Sequence, residues 1–461
     1  MTARTPFSVV GRKAVVVGAA RSGVAAAELL VRRGATVTLT DVRAEIQDDA
    51  QLRNAGVQLE LGGHRVETLR SADLIVLSPG VPPTQQDVAA ARAAGVLVMG
   101  ELELASRWLR GRVVAITGTK GKSTTTTLTG RMLEAGGHRV LVGGNIGHAL
   151  SAQVDASTED TIHVVEVSSF QLEGSDTFHP WIAVLLNFSP DHLDRHASLV
   201  EYAAAKARIF ANQTSGDWAV LNADDEPSHA LAQEARSRRL LFATSRELVE
   251  GVFIARDAIV RRTREGEQTL VPLSAVKVLG RHLLADVVAA TAIASLAGVA
   301  APAMVRAVEN FTGLEHALEP VSEIGGVRFV NDSKATNIEA ALRAIQSFAP
   351  GLVVILGGRF KGGDFGDLRA ALVERSASVV AIGESAPLVR QALSPGVAVH
   401  DAADMVAAVR TGFALASPGE TVLLAPACAS FDMFKDYAER GQVFKREVMR
   451  LQDEWSGVRE H

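Results

Sequence analysis

The feature that most constrains the fold is a recurring pair, a short apolar run followed by a helical pattern. Each run ends in Gly, Ser or Asp, which is typical of parallel strands joined by crossover helices. The runs fall into three blocks along the chain, and the sequence therefore predicts an α/β protein with three domains, at residues 1–105, 106–312 and 313–461. The predicted strands are Ala14–Gly18, Thr36–Thr40 and Leu74–Leu77; then Val113–Thr117, His163–Val167, Ile182–Asn187 and Trp218–Asn222; then Arg328–Asn331, Leu352–Leu356, Ser378–Ile382 and Thr421–Ala425.

Composition excludes several classes of protein. The 461 residues are too many for one hydrophobic core, and the net charge of −5 is spread along the chain without the basic stripe of a nucleic-acid binder. The single cysteine, Cys428, excludes an intrachain disulfide and fits a reducing cytoplasm. The segment from Met1 to Lys13 lacks the apolar core of a secretory signal.

One uncharged stretch, Val287 to Val305, is nearly long enough to span a bilayer. It is rich in Ala and is interrupted by Gly298 and Pro302. We therefore expect a buried helix that ends near Gly298 and a second helix with Pro302 in its first turn, and no membrane span.

A phosphate-binding loop is the strongest local motif. Ile116-Thr-Gly-Thr-Lys-Gly-Lys-Ser-Thr124 lies between a predicted strand and a predicted helix. Its glycines allow the backbone N–H groups to face phosphate oxygens at a helix N-terminus, while Lys122 can reach the phosphates and Ser123 can bind Mg²⁺. The motif is a variant, because Ile116 stands where the full pattern has Gly. The alternative is an ordinary turn before a helix.

A rival nucleotide motif lies near the N-terminus. Gly18-Ala-Ala-Arg-Ser-Gly23 follows the first predicted strand, and Asp41 ends the second, as in a dinucleotide-binding fingerprint. Ala20 replaces the middle glycine and would crowd a pyrophosphate. A plain strand–helix turn is an equally good interpretation, and an NAD-dependent enzyme would leave the phosphate loop unexplained.

Two further strands of the second block end in residues that can bind metal or substrate. Glu166 ends one, and His192 follows another in Asp191-His-Leu-Asp-Arg195. Because parallel strand ends share one crevice, these two residues can share one site. Lys206 lies on a helix-like segment, where its spacing alone favours a solvent-facing lysine.

Together these residues resemble the Mur ligase family, across essentially the whole chain. The resemblance rests on motifs in the family's order: Gly118–Ser123, Gly144-Asn-Ile-Gly147, Glu166-Val-Ser-Ser-Phe-Gln171, Asp191–Arg195, Lys206, Asn331-Asp-Ser-Lys-Ala-Thr-Asn337 and Pro426-Ala-Cys-Ala-Ser430. The strings Ser-Ser-Phe-Gln, Asn-Asp-Ser-Lys-Ala-Thr-Asn and Pro-Ala-Cys-Ala-Ser resemble the D-glutamate-adding branch.

The resemblance implies a monomeric, cytoplasmic ligase that adds D-glutamate to UDP-N-acetylmuramoyl-L-alanine, through an acyl phosphate, in peptidoglycan precursor synthesis. It implies a Rossmann-like UDP-binding first domain, a central P-loop ATPase domain and a Rossmann-like third domain for the amino acid. The cofactors implied are ATP and two Mg²⁺ ions, with Lys206 carboxylated at its side-chain nitrogen by CO₂ into a Mg²⁺ ligand.

The family's functional positions map onto this chain as follows. The UDP substrate is assigned to Ser22, Asp41, Arg43, Gly80, Asn145, Ser168, Gln171 and His192. ATP is assigned to Gly118, Thr119, Lys120, Gly121, Lys122, Ser123, Thr124, Asp286, Asp332 and Lys334, and D-glutamate to Thr336, Lys361, Ser430 and Tyr437. Metal ligands are Ser123, Glu166, His192 and Lys206, and the catalytic residues are Lys122, Glu166, His192, Lys206 and Lys334.

The chain departs from the family pattern at four positions. Lys120 replaces an Asn in the phosphate loop, and Leu283 and Asp286 replace two Asn residues associated with adenine. Ala317 replaces an Arg that approaches ATP in the family. The last change removes a charged contact, which can be worth about 2–4 kcal/mol in a transition state.

Three other functions stay open on sequence grounds. A sister ligase for L-alanine, a diamino acid or a dipeptide would share the central motifs. A folylpolyglutamate-synthase-like enzyme would share the ATPase block but not the first domain. A non-ligating nucleotide switch would fit the loss at Ala317, although it would have no use for Glu166, His192, Lys206 and Lys334 together.

Overall fold

The computed structural model describes residues 7–46, 49–192, 195–278 and 280–459. The chain divides into two compact units. The first comprises Met1–Val276 with Ala285–Asn310, and the second comprises Lys277–Leu284 with Phe311–His461. The first unit contains two sheets and the second contains one, and the expected α/β class is confirmed.

The first sheet is fully parallel and doubly wound. Its five strands have the order β3-β2-β1-β4-β5. Apolar side chains of β1 and β4 point alternately to the two faces, where the helices cover them. The elements are β1 (Lys13–Val17), α1 (Arg21–Arg32), β2 (Thr36–Asp41), α2 (Asp49–Asn54), β3 (Gln58–Leu61), α3 (Val66–Arg70), β4 (Leu74–Leu77), α4 (Gln86–Ala93), β5 (Leu97–Gly100) and α5 (Glu101–Ser106).

The second sheet has nine strands in the order β14-β13-β12-β11-β10-β9-β6-β8-β7. It is parallel from β7 to β12 and antiparallel from β12 to β14. Its strands are β6 (Arg112–Thr117), β7 (Arg139–Gly144), β8 (Thr161–Glu166), β9 (Ile182–Leu185), β10 (Trp218–Asn222), β11 (Arg238–Ala243), β12 (Gly251–Ala255), β13 (Ala258–Thr263) and β14 (Gly266–Pro272). Its helices are α6 (Lys122–Ala135), α7 (Leu150–Gln153), α8 (Ser169–Glu173), α9 (Leu199–Ala207), α10 (Glu226–Leu231), α11 (Arg281–Leu296) and α12 (Ala301–Glu309).

The third sheet has six strands in the order β15-β16-β20-β17-β18-β19, and only its edge strand β15 is antiparallel. Apolar clusters fill both faces. The elements are β15 (Glu319–Ile324), β16 (Val327–Asn331), α13 (Ile338–Gln346), β17 (Leu352–Gly357), α14 (Arg369–Glu374), β18 (Ser378–Ile382), α15 (Ala386–Leu393), β19 (Ala398–Asp401), α16 (Met405–Leu415), β20 (Thr421–Leu424) and α17 (Tyr437–Arg459).

The predicted strands occur at their expected positions, most with ends displaced by one or two residues. The uncharged stretch also divides as expected, because α11 ends at Leu296 and α12 contains Pro302 in its first turn. Within the described part of the chain, no helix combines the length and apolarity needed to cross a membrane. Strands β3, β5, β7, β11 to β15 and β19 were not predicted.

The first and second sheets are joined through the buried carboxylate of Glu103 on α5. Its two oxygens accept hydrogen bonds from the backbone N–H groups of Asp176, Thr177 and Phe178 and from the Thr177 hydroxyl, at 2.6–3.1 Å. Arg107 pairs with the same carboxylate at 2.6 Å. Burial alone would raise the pKa of Glu103, but these donors outweigh it and the pKa is lowered.

Close backbone packing supports the same joint. Gly100 N donates to Gly174 O at 2.9 Å, and a Cβ on Gly174 would lie 2.8 Å from Gly100 Cα. Glycine is therefore required where these two segments meet. The first sheet is held against the second by contacts that leave no space for side chains.

We expect Glu103→Gln to destabilise the chain by about 3 kcal/mol, because a buried amide would face N–H groups that need an acceptor. The lowered pKa of Glu103 means that the carboxylate stabilises the fold fully above its ordinary value of 4.5 and loses this effect as pH falls through the lowered pKa. The difference from wild type in urea unfolding should therefore shrink below about pH 4.5. The exposed Glu134→Gln is the control; equal stability of the two variants at pH 7 would contradict the prediction.

Candidate active site

The phosphate loop joins β6 to α6 as the sequence predicted. Gly121 is the N-cap residue of α6, with φ of 82° and no side chain capping the first turn. The backbone N–H groups at this end of a 14-residue helix are therefore available to an anion, and the helix dipole favours one. Ser123 and Thr124 lie in this first turn.

Two lysines meet at one carbonyl oxygen of the loop. Lys122 Nζ donates to Gly118 O at 3.0 Å and to Thr119 O at 2.9 Å. Lys206 Nζ donates to the same Gly118 O at 2.9 Å, and its side chain is buried over the Tyr202 ring. Burial, followed by the nearby charge of Lys122, lowers the pKa of Lys206 to about 7. The solvent-facing interpretation of Lys206 was wrong.

The segment after β9 fixes the loop from the other side. Asn187 accepts from Lys120 N at 2.9 Å and donates to Lys120 O at 3.1 Å through its side chain. The Thr119 hydroxyl donates to Ser189 O at 3.1 Å. The Lys120 side chain is half exposed, and its ammonium lies 3.5 Å from Asp191. These contacts hold the backbone, and they leave the Lys120 charge at the surface of the loop.

Asp286 lies directly beside the loop. It is buried, and a Cβ placed on Gly121 would lie 2.1 Å from its Oδ1. Burial raises the pKa of Asp286 well above its ordinary value, although the nearby Thr125 hydroxyl and the charge of Lys122 oppose this. Its assignment to ATP stays a prediction. Leu279 and the side chains of Arg281 and His282, in the same motif, lie outside the described residues.

Glu166 ends β8, beside β6. Its Oε1 accepts from Asn145 Nδ2 at 2.8 Å, whereas its Oε2 is buried without a hydrogen-bond partner among the described residues. A buried carboxylate oxygen with no donor is suited to a cation. The structure thus brings Asn145 against Glu166, at a point where Mg²⁺ fits, and the assignment of Asn145 to the UDP substrate and of Glu166 to the metal stays a prediction.

His192 follows β9, on the other side of β6 from Glu166. Its backbone has φ of 55°, which is uncommon for a residue with a side chain. Its ring lies 5.0 Å from the Phe170 ring and 6.1 Å from the Tyr202 ring, measured between centroids. Tyr202 therefore contacts both His192 and Lys206. The neighbouring Leu193 and Asp194 of the predicted motif lie outside the described residues.

Among the described residues, no cluster of three or more His, Cys, Asp or Glu side chains could hold a metal ion. The predicted ligand set differs from such a cluster, since it contains a hydroxyl and a lysine. An unmodified lysine is a poor ligand, but Lys206 with a pKa of about 7 is partly a free amine at neutral pH. The amine form is the one that reacts with CO₂, so the residues present fit the predicted modification.

Four of the eight predicted UDP residues, Ser22, Asp41, Arg43 and Gly80, lie at the carboxyl ends of strands of the first sheet. Asp41 accepts from Ala19 N at 2.6 Å and from the Arg43 guanidinium at 2.9 Å. Arg43 holds the pKa of Asp41 well below its usual range. Ser22 lies in the first turn of α1, and Gly80 lies in the turn after β4.

Ser168 and Gln171 form a capping box at the start of α8. Ser168 Oγ accepts from Gln171 N, and Gln171 Oε1 accepts from Ser168 N at 3.0 Å. Gln171 Nε2 is buried without a hydrogen-bond partner among the described residues. It is a donor available for a polar substrate group.

The second unit contains the predicted D-glutamate residues. Lys361 Nζ lies 3.5 Å from Thr336 Oγ1, and Tyr437 begins α17 with its side chain partly exposed. Ser430 is buried in the segment after β20. Asp332 and Lys334 follow β16; Asp332 is buried, which raises its pKa to about 7, and Lys334 is exposed.

Arg440 connects these segments and was missed from the sequence. It is fully buried, and its guanidinium donates to Ser333 Oγ, Ser333 O and Cys428 O at 2.9–3.1 Å. Burial lowers its pKa to about 10. It therefore ties the two segments that carry Thr336 and Ser430. The sequence signal that could have indicated its burial is its spacing of four and eight residues from Phe444 and Val448, which lie on the buried face of α17.

Comparison with known proteins supports the same family. Residues 12–100 match the MurD-like N-terminal domain of Mur ligases, residues 116–294 the Mur ligase middle domain, and residues 318–428 the glutamate ligase domain. The chain is 47% identical to UDP-N-acetylmuramoylalanine–D-glutamate ligase of Acidobacterium capsulatum, over 95% of this chain and 96% of that protein. It is 42% identical to the protein of the same name from Koribacter versatilis, over 96% and 98%. The chain belongs to the Mur ligase family.

Solved Mur ligases share the fold. The UDP-N-acetylmuramate–alanine ligase MurC of Thermotoga maritima is 20% identical and superimposes with a TM-score of 0.59, covering 96% of this chain and all of that one. MurF ligase of the same organism, solved with ADP, is 17% identical with a TM-score of 0.56, covering 96% of each chain.

Gly121→Ala should weaken ATP binding roughly 10²-fold, because its Cβ would displace Asp286 and move the loop by about an ångström. The measurement is the KM for ATP. Gly137→Ala is a matched control, since Gly137 has φ of 86° but nothing within 4 Å of its Cβ position. Adding Asp286→Ala to Gly121→Ala should restore part of the affinity. Equal KM values for the two glycine variants would contradict the steric explanation.

Proposed function

We propose that this Mur ligase joins D-glutamate to UDP-N-acetylmuramoyl-L-alanine at the expense of ATP, which is converted to ADP and phosphate. The observation that carries the proposal is 42–47% identity, over nearly the full length, to ligases named for this reaction. The arrangement of Lys122, Lys206, Glu166 and Asn145 at the phosphate loop supports it, because a switch protein would need no such arrangement. Lys206 and Glu166 are the buried members of this set.

The reaction has two steps. The L-alanine carboxylate attacks the γ-phosphorus of ATP, the bond to the β-phosphate oxygen breaks, and an acyl phosphate forms with ADP. The D-glutamate amine then attacks the acyl carbon, loses a proton, and displaces inorganic phosphate. The loop N–H groups and Lys122 would stabilise the charge on the transferred phosphoryl group.

Mg²⁺, held by Ser123, Glu166, His192 and carboxylated Lys206, would offset the phosphate charge when bound. Gln171 Nε2 and Asn145 would orient the muramoyl-alanine, and Asp41 with Arg43, Ser22 and Gly80 would hold the UDP moiety. Thr336, Lys361, Ser430 and Tyr437 would bind D-glutamate, whose two carboxylates suit a lysine with hydroxyl donors. Asp332 and Lys334 would contact ATP. We propose that the enzyme works as a monomer in the cytoplasm, where ATP is supplied.

Phosphate release should require ATP, Mg²⁺, UDP-N-acetylmuramoyl-L-alanine and D-glutamate together. The assay offers D-glutamate, L-glutamate, a diamino acid or no acceptor, and the amide product is identified by mass. Turnover with D-glutamate alone is expected. Preference for another acceptor would assign the chain to a sister ligase, and ATP binding without phosphate release would favour a nucleotide switch that has lost catalysis along with the arginine at Ala317.

Lys206→Ala should lower kcat by roughly 10²–10³-fold, and acetate or formate should restore part of it by replacing the missing carboxylate. Lys206→Arg keeps the charge but cannot be carboxylated or leave space for acetate, so it should stay inactive. Wild type in ¹³C-bicarbonate should show a carbamate resonance that Lys206→Arg lacks. Full activity of Lys206→Ala without acetate would exclude the modification as a requirement.

A further inference from the structure

His196, four residues after His192, is bound to helix α8 through both of its ring nitrogens. The His196 ring is buried; its Nε2 lies 3.0 Å from Ser169 Oγ, and its Nδ1 lies 3.2 Å from Glu173 Oε1. An imidazole between a hydroxyl and a carboxylate donates to the carboxylate and accepts from the hydroxyl. Both ring nitrogens are therefore satisfied by one five-residue helix.

The second oxygen of Glu173 is used by Arg195. Arg195 Nη2 lies 3.1 Å from Glu173 Oε2, and the two side chains are only 15% and 20% exposed. The same guanidinium approaches Gly80 O and Val81 O at 3.4 Å each, in the turn after β4 of the first sheet. The Glu173 carboxylate thus binds Arg195 and His196, which follow His192. Through Arg195 it is also linked to the Gly80–Val81 turn, which is predicted to hold UDP.

Phe170, between Ser169 and Glu173 on α8, extends the connection to His192 itself. Its ring centroid lies 5.0 Å from that of His192 and 5.5 Å from that of His196. The Arg195 guanidinium lies over the same ring, at 5.0 Å. Moving Arg195 or His196 would therefore move a ring against which His192 packs.

We propose that Glu173 is a positioning residue, whose carboxylate couples the Gly80–Val81 turn to the orientation of His192. Both the binding of the sugar nucleotide at this turn and the orientation of the His192 ring then depend on the Glu173 carboxylate. This inference rests on the proposed function for its substrate.

A carboxylate is needed because both of its oxygens must accept. Glutamine has the same shape but accepts through one oxygen only, so either Arg195 or His196 would face a donor. Charge-assisted hydrogen bonds are stronger than neutral ones, and a buried arginine without an acceptor would relocate. The substitution therefore uncouples the two segments with little change in volume.

The test compares Glu173→Gln with Glu201→Gln. Glu201 is the matched control, because it also contacts Ala197, accepting from its backbone N at 3.0 Å, but it is exposed and makes no hydrogen bond or ion pair with Arg195 or His196 among the described contacts. We expect Glu173→Gln to raise the KM for UDP-N-acetylmuramoyl-L-alanine about tenfold and to lower kcat about tenfold. The KM values for ATP and D-glutamate should stay within about twofold of wild type.

Calorimetric binding of UDP-N-acetylmuramoyl-L-alanine, without ATP or acceptor, should weaken by the same factor. Arg195→Lys gives a second measurement if Glu173→Gln fails to fold, because it keeps the charge but loses the fork. The KM for the UDP substrate should rise, and kcat should fall less than in Glu173→Gln because His196 keeps its contact with Glu173. Glu173→Gln behaving as Glu201→Gln, or losing kcat with unchanged binding, would overturn the proposal. A wild-type chain that binds this substrate but ligates no D-glutamate would instead refute the proposed function.

Discussion

The carbonyl oxygen of Gly118 is the point on which the active site depends, because two ammonium groups converge on it. Lys122 comes from the start of α6 and Lys206 from α9, and both donate to this oxygen. While Lys206 is protonated and unmodified, the two cations lie close together next to a helix N-terminus and raise the local positive potential. Such a site stabilises an anion with several charged oxygens, and the triphosphate of ATP meets that requirement.

The same crowding explains the chemistry available to Lys206. A lysine at the surface stays protonated at neutral pH, whereas burial beside Lys122 lowers its pKa to about 7. A free amine can take up CO₂ and become an anion, which would relieve the repulsion between the two lysines. Burial and the charge of Lys122 thus favour the free amine of Lys206, and the free amine favours the modification. The Tyr202 ring packs against the Lys206 ammonium.

Sequence patterns were sufficient to predict those elements whose structure is decided by the local order of apolar and polar residues. Leu74–Leu77, Trp218–Asn222 and Ser378–Ile382 were predicted with correct ends, because a buried parallel strand is an uninterrupted apolar run. The polarity of parallel strands predicted that Glu166 and His192 follow strand ends at one edge of the sheet, and β8 and β9 do flank β6 in parallel. The antiparallel strands β13 and β14 were missed because arginines and glutamates interrupt their apolar pattern.

Contacts that single side chains make with distant parts of the fold could not be predicted from the sequence. Asp286 was assigned to ATP from the motif alone, and the sequence did not show that its carboxylate lies against Gly121, a contact fixed by the register of α11 beside the loop. Arg440 and Glu173 carry no motif of their own, and their importance comes from what folding brings to them: two backbone segments in one case, an arginine and a histidine in the other.

Arg440 and Asp332 show why such residues are difficult to recognise. Both are buried charges of the second unit, and burial shifts each pKa toward the neutral form, to about 10 for Arg440 and about 7 for Asp332. Arg440 stays charged at neutral pH because its donors reach three oxygens, so it serves as a brace between backbone segments. Asp332 accepts only from Leu318 N among the described contacts, and its pKa of about 7 makes the protonated form available at neutral pH. Its proton should therefore be released when a cationic partner approaches, which makes Asp332 better suited to respond to ligand than to support the fold.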